Sequence, residues 1–158
     1  MIFVTVGTQL PFPRLIAAMA EEAARLQLEV TAQVGPDPGT WPGLTVHAHL
    51  PPPRFEALFA AAEVVVAHAG IGTILSARRM GKPLIICPRD AARGEHRNNH
   101  QHATAQQVTD LPGLHVAWET SDLGPLLERR ASLAPMHEAE SAAHRALIVR
   151  LSGFIDAC

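Results

Sequence analysis

Residues 64 to 73 read Val64-Val65-Val66-Ala67-His68-Ala69-Gly70-Ile71-Gly72-Thr73, a short β-branched run followed by a histidine and two glycines. A continuous apolar run of this length is typical of a buried strand in a parallel sheet. The glycines permit a tight turn, and a helical pattern follows from about Thr73 to Met80, where Gly81 and Pro83 end it. The segment therefore predicts a strand, a turn and a helix, the repeating unit of an α/β fold.

The same alternation of short strands and helical segments extends along the chain in both directions. The six predicted strands are Ile2–Val6, Glu29–Gln33, Leu44–His47, Val64–Ala67, Leu84–Cys87 and Leu114–Trp118. The other predicted helices are Pro13–Leu26, 51–62, Asn98–Val108, a short one from Ser121 through Arg130, and a terminal helix Met136–Ile155. This pattern predicts a Rossmann-like, doubly wound parallel sheet with strand order 3-2-1-4-5-6 and a C-terminal helix.

Length and composition predict a single globular domain over residues 1–158. Of the 158 residues, 47% are hydrophobic and 18% are charged, which is enough apolar material for one core. The net charge of −2 provides no broad basic face, so nucleic acid is not an expected partner. Because Lys82 is the one lysine, an anion would have to be bound by arginine, histidine or backbone amides.

Cysteine usage and hydropathy favour a cytoplasmic chain. Cys87 and Cys158 are far apart and form no CxxC motif, and the first residues lack the basic segment of a signal peptide. The most apolar window, residues 55–75, is interrupted by Glu56 and Glu63, which a membrane span would not tolerate well. We therefore expect a chain that does not cross a membrane, although binding at a membrane surface stays open.

Two glycine-containing turns are predicted to meet at one edge of the sheet. In the expected order, the first and fourth strands are neighbours, and the loops that leave them are Gly7-Thr8-Gln9 and residues 68–73. Gly70 and Gly72 let the backbone approach a ligand, and the amides of the following helix favour a phosphate. His68 would donate to a phosphate oxygen. These features predict a diphosphate site, although a tight structural turn is the alternative for the two glycines.

A second polar segment, residues 88–101, follows the fifth strand and lies on the same rim. It contains three arginines and two histidines. Loops held by a rigid scaffold are where binding groups concentrate. Arg89, His100 and Gln101 are predicted to contact a ligand, whereas Arg93 and Arg97 are expected to be solvated.

The sequence lacks the motifs of several other nucleotide-dependent enzymes. Neither HExxH nor Asp-x-Asp occurs, and a Walker A motif and a GxGxxG after the first strand are both missing. A diphosphate held by a helix N-terminus is therefore expected, with no metal or other cofactor. A metal site at His96, His100 and His102 is the alternative, and it would make the chain a metal-dependent hydrolase.

Three motifs, in the order found here, resemble the C-terminal domain of family 28 glycosyltransferases. They are Met1–Gln9, residues 68–83 and Glu95–Gln101, and the resemblance extends from Met1 to about Gln107. It is strongest to the separate donor-binding subunit of two-chain enzymes. These include bacterial exopolysaccharide glycosyltransferases and the eukaryotic enzyme that adds the second N-acetylglucosamine to a dolichol-linked sugar. The resemblance implies the C-terminal half of a GT-B fold, which binds a UDP-sugar while the other half binds the acceptor.

The resemblance also implies roles for individual residues. Thr8 would contact the diphosphate, His68 and the amides from Gly70 to Thr73 would hold it, and Gln101, flanked by His100, would reach the sugar hydroxyls. Ser76 stands where the family has a glutamate for the ribose hydroxyls, and Glu95 would replace that glutamate only if its loop folds back. The residues expected to bind substrate are Gly7, Thr8, Gln9, His68, Gly70, Gly72, Thr73, Ser76, Arg89, Glu95, His100 and Gln101.

The implied reaction transfers a hexosyl or glucuronosyl group from a UDP-sugar to a lipid-linked acceptor, with inversion and release of UDP. His68, the helix N-terminus and Arg89 would stabilise the charge on the leaving diphosphate. His96 is a local candidate for the general base, which the family places in the other half.

A GT-B enzyme needs two domains, so a membrane-anchored acceptor-binding subunit is the expected partner and would hold this chain at the inner face of the membrane. The alternative, prompted by Ser76, is a non-catalytic nucleotide-sugar-binding or partner-docking module.

Overall fold

Six parallel strands form the centre of the molecule. The computed structural model describes residues 1–37, 39–137 and 149. In that part of the chain the strands are β1 (Ile2–Thr5), β2 (Val30–Gln33), β3 (Thr45–His47), β4 (Val64–His68), β5 (Leu84–Cys87) and β6 (Leu114–Val116). They are ordered β3-β2-β1-β4-β5-β6, and every neighbouring pair is parallel. The predicted α/β Rossmann-like class and strand order are confirmed.

Helices follow the strands as the alternating pattern predicted. Within the described residues they are α1 (Pro13–Leu26), α2 (Pro52–Ala61), α3 (Ile71–Arg79), α4 (His100–Val108) and α5 (Leu123–Glu128). Pro13 opens α1 in the first turn, where its missing N–H costs no helical hydrogen bond. After its last residue, Leu26, the helix is capped by Gln27, which adopts the left-handed conformation with φ of 54°.

The helices cover both faces of the sheet and give two apolar clusters. One cluster contains Val4 and Leu15 with the side chains of α1 and α5, and the other contains Phe3 and Phe59. The ring of Phe3 contacts Phe55 and Phe59 edge-on, with centroid distances of 5.3 and 6.0 Å. Burying a side chain of this size contributes about 1.5–3 kcal/mol. The two clusters therefore fix the sheet from which the loops project.

β1 lies at the centre of the sheet, between β2 and β4. Val4 pairs with Ala32 on one side and Val66 on the other, while Thr5 pairs with Ala67. Parallel strands in this register end at the same edge, so the loops after β1 and β4 leave the sheet side by side. The strand order reverses here, because β2 and β3 extend the sheet on one side of β1 and β4 to β6 extend it on the other, and open α/β sheets bind ligands at such a point.

The structure corrects the start of two helices. α3 begins at Ile71, not Thr73, because Gly70 takes the extended N-cap position and Gly72 fits within the first turn. α4 begins at His100, not Asn98, because the Asn98 side chain accepts a hydrogen bond from the His100 N–H at 3.2 Å. Short polar side chains that bond nearby amides compete with helix formation, and sequence periodicity does not show this.

The C-terminal predictions also change. β6 ends at Val116, and Trp118, which was predicted within the strand, is 37% exposed. Met136 is not the start of a helix, since it is buried and its N–H donates to the Lys82 carbonyl. The remainder of the predicted helix Met136–Ile155 lies outside the described residues, apart from residue 149.

The longest helix in the described part of the chain is α1, with 14 residues. A bilayer crossing needs about 20 apolar residues. Among the described residues, no helix reaches the length and hydropathy of a membrane span.

Candidate functional site

Two cavities open where the loops after β1 and β4 lie side by side. The larger cavity has a volume of about 420 Å³, within the range of small-molecule sites. It is lined by Thr5, Gly7, Thr8, Gln33, His49, Leu50, Pro52, Phe55, His68, Gly70, Gly72, Thr73 and Ser76. The smaller cavity, of about 220 Å³, is lined by Val6, Gly7, Thr8, Gln9, Leu10, His68, Arg89, His96 and Gln101. Because both share Gly7, Thr8 and His68, these three residues form the boundary between them.

His68 is packed between the two predicted glycine turns. A Cβ on Gly7 would lie 3.2 Å from Cε1 of the imidazole, and a Cβ on Gly70 would overlap Nε2. Gly7 also has φ of +80°, which other residues rarely adopt. Both glycines are thus required by the fold of this edge, and they let the imidazole lie against the backbone of both loops.

Burial keeps His68 neutral at pH 7. Burial, followed by the positive charge of Arg89, lowers the pKa of His68 to about 4, although a contact with the Thr5 carbonyl opposes this change. Nδ1 lies 3.5 Å from that carbonyl oxygen. When Nδ1 carries the proton, Nε2 has only a lone pair, so donation from Nε2 to a phosphate requires the imidazolium. An anion at the boundary would favour that protonation.

The N-terminus of α3 lies at the larger cavity. No side chain caps this helix, and Gly72 and Thr73 of its first turn line the cavity. Backbone amides in the first turn of a helix have no partner within the helix, and its dipole favours an anion there. A Cβ on Gly72 would meet no atom within 4 Å, so glycine leaves open space at this point. The arrangement fits a phosphate group near the boundary between the cavities.

Arg89 lines the smaller cavity, but its guanidinium donates hydrogen bonds to the protein backbone. Its guanidinium donates to the carbonyls of Val6 and Leu10 at 2.9 and 2.8 Å, and also to that of Pro11. The group lies 4.7 Å from the centroid of the Phe12 ring. Burial lowers the pKa of Arg89 to about 10, so it remains positive at pH 7.

Glu95 is not among the residues that line either cavity. Its carboxylate accepts hydrogen bonds from Arg14 at 2.6 and 2.9 Å and from the Asp90 N–H at 2.9 Å. Burial opposes ionisation, but these hydrogen bonds outweigh it and lower the pKa of Glu95. The loop does not fold back to bring Glu95 beside Ser76, which lines the larger cavity. Ser76 and Thr73 therefore supply the side-chain hydroxyls on that wall.

Two side chains near the start of α4 line the smaller cavity, His96 in the loop before the helix and Gln101 in its first turn. The Oε1 atom of Gln101 accepts from the Arg89 N–H at 3.1 Å, which leaves its amide nitrogen to donate to a ligand. Nδ1 of His96 lies 3.1 Å from Oδ1 of Asn98. His100 is not among the residues that line either cavity.

The other polar groups singled out in the sequence lie outside the cavities. Arg93 and Arg97 are exposed, and Arg93 pairs with Glu119 at 3.0 Å. Within the described ranges, no three His, Cys, Asp or Glu side chains are arranged to hold a metal ion, and this includes His96, His100 and His102.

Sequence reasoning missed one wall of the larger cavity. The missed lining residues that follow β3 are His49, Leu50, Pro52 and Phe55. Gln33, which ends β2 and also lines the cavity, accepts from the Leu50 N–H at 3.0 Å. Apolar residues near a strand end look like core in a sequence. Their position after β3 could have identified them, because β3 also ends at the ligand-binding edge of the sheet.

Comparisons with known proteins identify the family of this chain. The family model for the glycosyltransferase family 28 C-terminal domain matches residues 1–123, which include every residue that lines the two cavities. A curated relative from Eremothecium gossypii, UDP-N-acetylglucosamine transferase subunit ALG13, is 35% identical over 103 residues. The match covers 63% of this chain and 49% of the relative, so the chain spans about half the length of the curated relative.

Solved structures show the same fold at lower identity. An NMR solution structure of ALG13 gives a TM-score of 0.61 at 18% identity and covers 89% of this chain and 90% of that chain. The calicheamicin glycosyltransferase CalG4 gives a TM-score of 0.61 at 22% identity and covers 94% of this chain and 36% of that chain. With the family model matched over most of its length, this chain belongs to the glycosyltransferase family 28 C-terminal domain family.

Proposed function

We propose that this chain is the donor-binding subunit of a two-component inverting glycosyltransferase, which binds a UDP-sugar and passes its sugar to a lipid-linked acceptor. The observation that carries the proposal is the pair of cavities that share Gly7, Thr8 and His68. A UDP-sugar has two bulky ends joined by a diphosphate. Two cavities joined at a boundary rich in backbone amides match that shape.

The nucleoside fits the larger cavity. Leu50 and Phe55 offer an apolar wall for a uracil ring, and Thr73 and Ser76 offer hydroxyls to the ribose. The diphosphate then lies at the boundary, against Gly7, Thr8 and the first turn of α3. Helix N-termini bind phosphate without a metal ion, so this arrangement requires no cofactor.

The sugar fits the smaller cavity, where the amide nitrogen of Gln101 donates to a hydroxyl oxygen. When the bond between the sugar and the diphosphate breaks, negative charge grows on the departing diphosphate. The α3 N-terminus and the positive charge of Arg89 favour that charge, and the growing negative charge raises the pKa of His68, so that it can take up a proton from solvent. The chain thereby lowers the barrier for loss of UDP.

The acceptor and the general base are assigned to a partner chain. We propose a membrane-anchored acceptor-binding subunit that faces the two cavities and holds this chain at the inner face of the membrane. The relative from Eremothecium gossypii is itself described as a transferase subunit. His96 lines the smaller cavity and is the local alternative for the base.

A non-catalytic nucleotide-sugar-binding module is the second candidate. It is favoured by the larger cavity, whose described lining residues include no carboxylate and present neutral Ser76 on the α3 wall. Hydrogen bonds to a charged acceptor are stronger than those to a hydroxyl, so this wall holds a ribose less firmly.

Calorimetric titration of UDP, followed by transfer assays with the partner across a panel of UDP-sugars, tests the proposal. We expect UDP binding by the isolated chain and sugar transfer only with the partner. Gln101→Ala should then reduce transfer more than it reduces UDP binding, because UDP lacks the transferred sugar that Gln101 would contact. Transfer by the complex that is unchanged in Gln101→Ala and His68→Ala would favour the non-catalytic module. No UDP binding and no transfer with any donor would refute both.

A further inference from the structure

Arg89 is the largest fully buried side chain in the described part of the chain, with 2% exposure. It stands just after β5, yet its contacts are with the loop that follows β1. Nη2 donates to two carbonyls, those of Val6 and Leu10, and Nη1 donates to that of Pro11 and, at 3.4 Å, to that of Glu95. The loop between residues 6 and 11 therefore curves around one guanidinium, with Gly7, Thr8 and Gln9 between the bonded carbonyls.

The partners of this buried cation are neutral. Within residues 1–37 and 39–137, Arg89 forms no ion pair with a carboxylate, and the nearby Glu95 carboxylate is bonded to Arg14. Burying a charge that is not neutralised is costly, and packing alone would be served better by an apolar residue. The charge lies at the smaller cavity, which Arg89 lines, so an anion bound there would be attracted to it.

The backbone of Arg89 adds a second link to the site. Its N–H donates to Oε1 of Gln101 at 3.1 Å, which fixes which end of that side-chain amide faces the cavity. One residue thus connects the turn after β1 with the first helical turn of α4. These two segments are separated by 80 or more positions in the sequence.

We propose that Arg89 is a positioning residue for donor binding, and this proposal rests on the function proposed above. Its guanidinium sets the conformation of the Gly7-Thr8-Gln9 turn, and its charge attracts the diphosphate without touching it. A planar fork is needed because the carbonyls are bonded by two separate nitrogens, Nη1 and Nη2, which one ammonium nitrogen cannot replace. A direct ligand contact is not part of this role, since Nη1 and Nη2 already donate to four backbone carbonyls.

Three variants test the proposal. Arg89→Met removes both charge and fork, and Arg89→Lys keeps the charge but loses the fork. Arg78→Met is the matched control, because Arg78 is the other buried arginine among the described residues, at 6% exposure, and lines neither cavity. For each chain, NMR would measure the order of the amides of residues 7–9 and the titration of His68, and calorimetry would measure UDP affinity.

We expect Arg89→Met and Arg89→Lys to loosen the amides of residues 7–9 and to weaken UDP binding by about tenfold or more, because UDP must then order the turn as it binds. The His68 pKa should rise in Arg89→Met, which removes a neighbouring positive charge, and stay near its native value in Arg89→Lys. Arg78→Met should alter stability alone. If Arg89→Met does not fold, Arg89→Lys still tests the planar fork, because it keeps the positive charge and loses the fork.

Native turn order and native UDP affinity in Arg89→Lys would overturn the proposed role of the fork. An unchanged His68 pKa in a folded Arg89→Met would overturn the role of the charge. Failure of the native chain to bind UDP would count against the proposed function instead, because the turn order and the His68 titration are measured without ligand.

Discussion

The imidazole of His68 lies against the α-carbon of Gly70, so closely that a single methyl group on Gly70 would overlap Nε2. Two residues further along, at Gly72, the same methyl group would meet no atom within 4 Å. One glycine of the pair is therefore required by the protein itself, while the other keeps open a space in the larger cavity. In this Gly-x-Gly turn, Gly70 has the structural role and Gly72 is the candidate for ligand binding.

This division predicts opposite effects for two alanine variants. Gly70→Ala should destabilise the fold by about 1–3 kcal/mol, since His68 must move from its packed position. Gly72→Ala should leave stability unchanged or raise it by up to about 1 kcal/mol, because alanine is the better helix former. Urea unfolding gives both values. Gly72→Ala should also weaken UDP binding by about tenfold, as its methyl group enters the space for a phosphate. Native UDP affinity in Gly72→Ala would show that the space is not used.

Acid should destabilise the protein through His68. Its folded pKa of about 4 is below the ordinary value of 6.5, so the unfolded chain binds more protons between these pH values. The free energy of unfolding therefore falls as pH decreases through this window. From pH 7 to pH 5 the contribution of His68 is about 2 kcal/mol. Urea unfolding of His68→Asn, whose side chain does not titrate, should show a loss smaller by that amount. Equal losses in both chains would mean that His68 is not buried as a neutral group.

The arrangement of the sheet could be predicted from the sequence because it depends on local pattern. Val64-Val65-Val66 marks a strand buried on both faces, and the fixed handedness of crossovers leaves few topologies. The meeting of the Gly7 and Gly70 turns follows from that topology. Helix starts were less predictable, because at Asn98 a side chain bonds the His100 amide and delays α4.

The finer details of the site depend on contacts between distant residues. Glu95 pairs with Arg14, which is 81 positions away, and Arg89 bonds carbonyls whose direction no sequence pattern reveals. In the sequence, an arginine at a strand end that binds a ligand looks the same as one that binds backbone carbonyls. Leu50 and Phe55 were missed for a related reason, since an apolar cavity wall and a core have the same composition.

A carboxylate on the α3 wall should strengthen nucleoside binding. Ser76 lines the larger cavity and offers one neutral hydroxyl to the ribose. Ser76→Glu would replace it with a charged acceptor, and such hydrogen bonds contribute about 1.5–3 kcal/mol. We expect calorimetry to show UDP binding at least about tenfold tighter, with a smaller gain for 2′-deoxy-UDP. Ser121→Glu, at an exposed position, is the control for added charge. Weaker UDP binding in Ser76→Glu alone would place the ribose elsewhere.

Removing the charge of Glu95 should affect stability and leave ligand binding unchanged. Its carboxylate is only 10% exposed and holds Arg14, so Glu95→Gln should lower the free energy of unfolding by about 2 kcal/mol at pH 7. The pKa of Glu95 is lowered on folding, so its stabilisation is present above the ordinary pKa and is lost as pH falls through the folded value. The difference between native and variant chains should therefore shrink in acid.

Glu56→Gln is the matched control, because its pair with Arg79 is exposed and should contribute less than about 1 kcal/mol. UDP affinity should stay within about twofold of native in both variants. If Glu95→Gln keeps its stability and loses UDP affinity, the carboxylate serves the ligand and not Arg14.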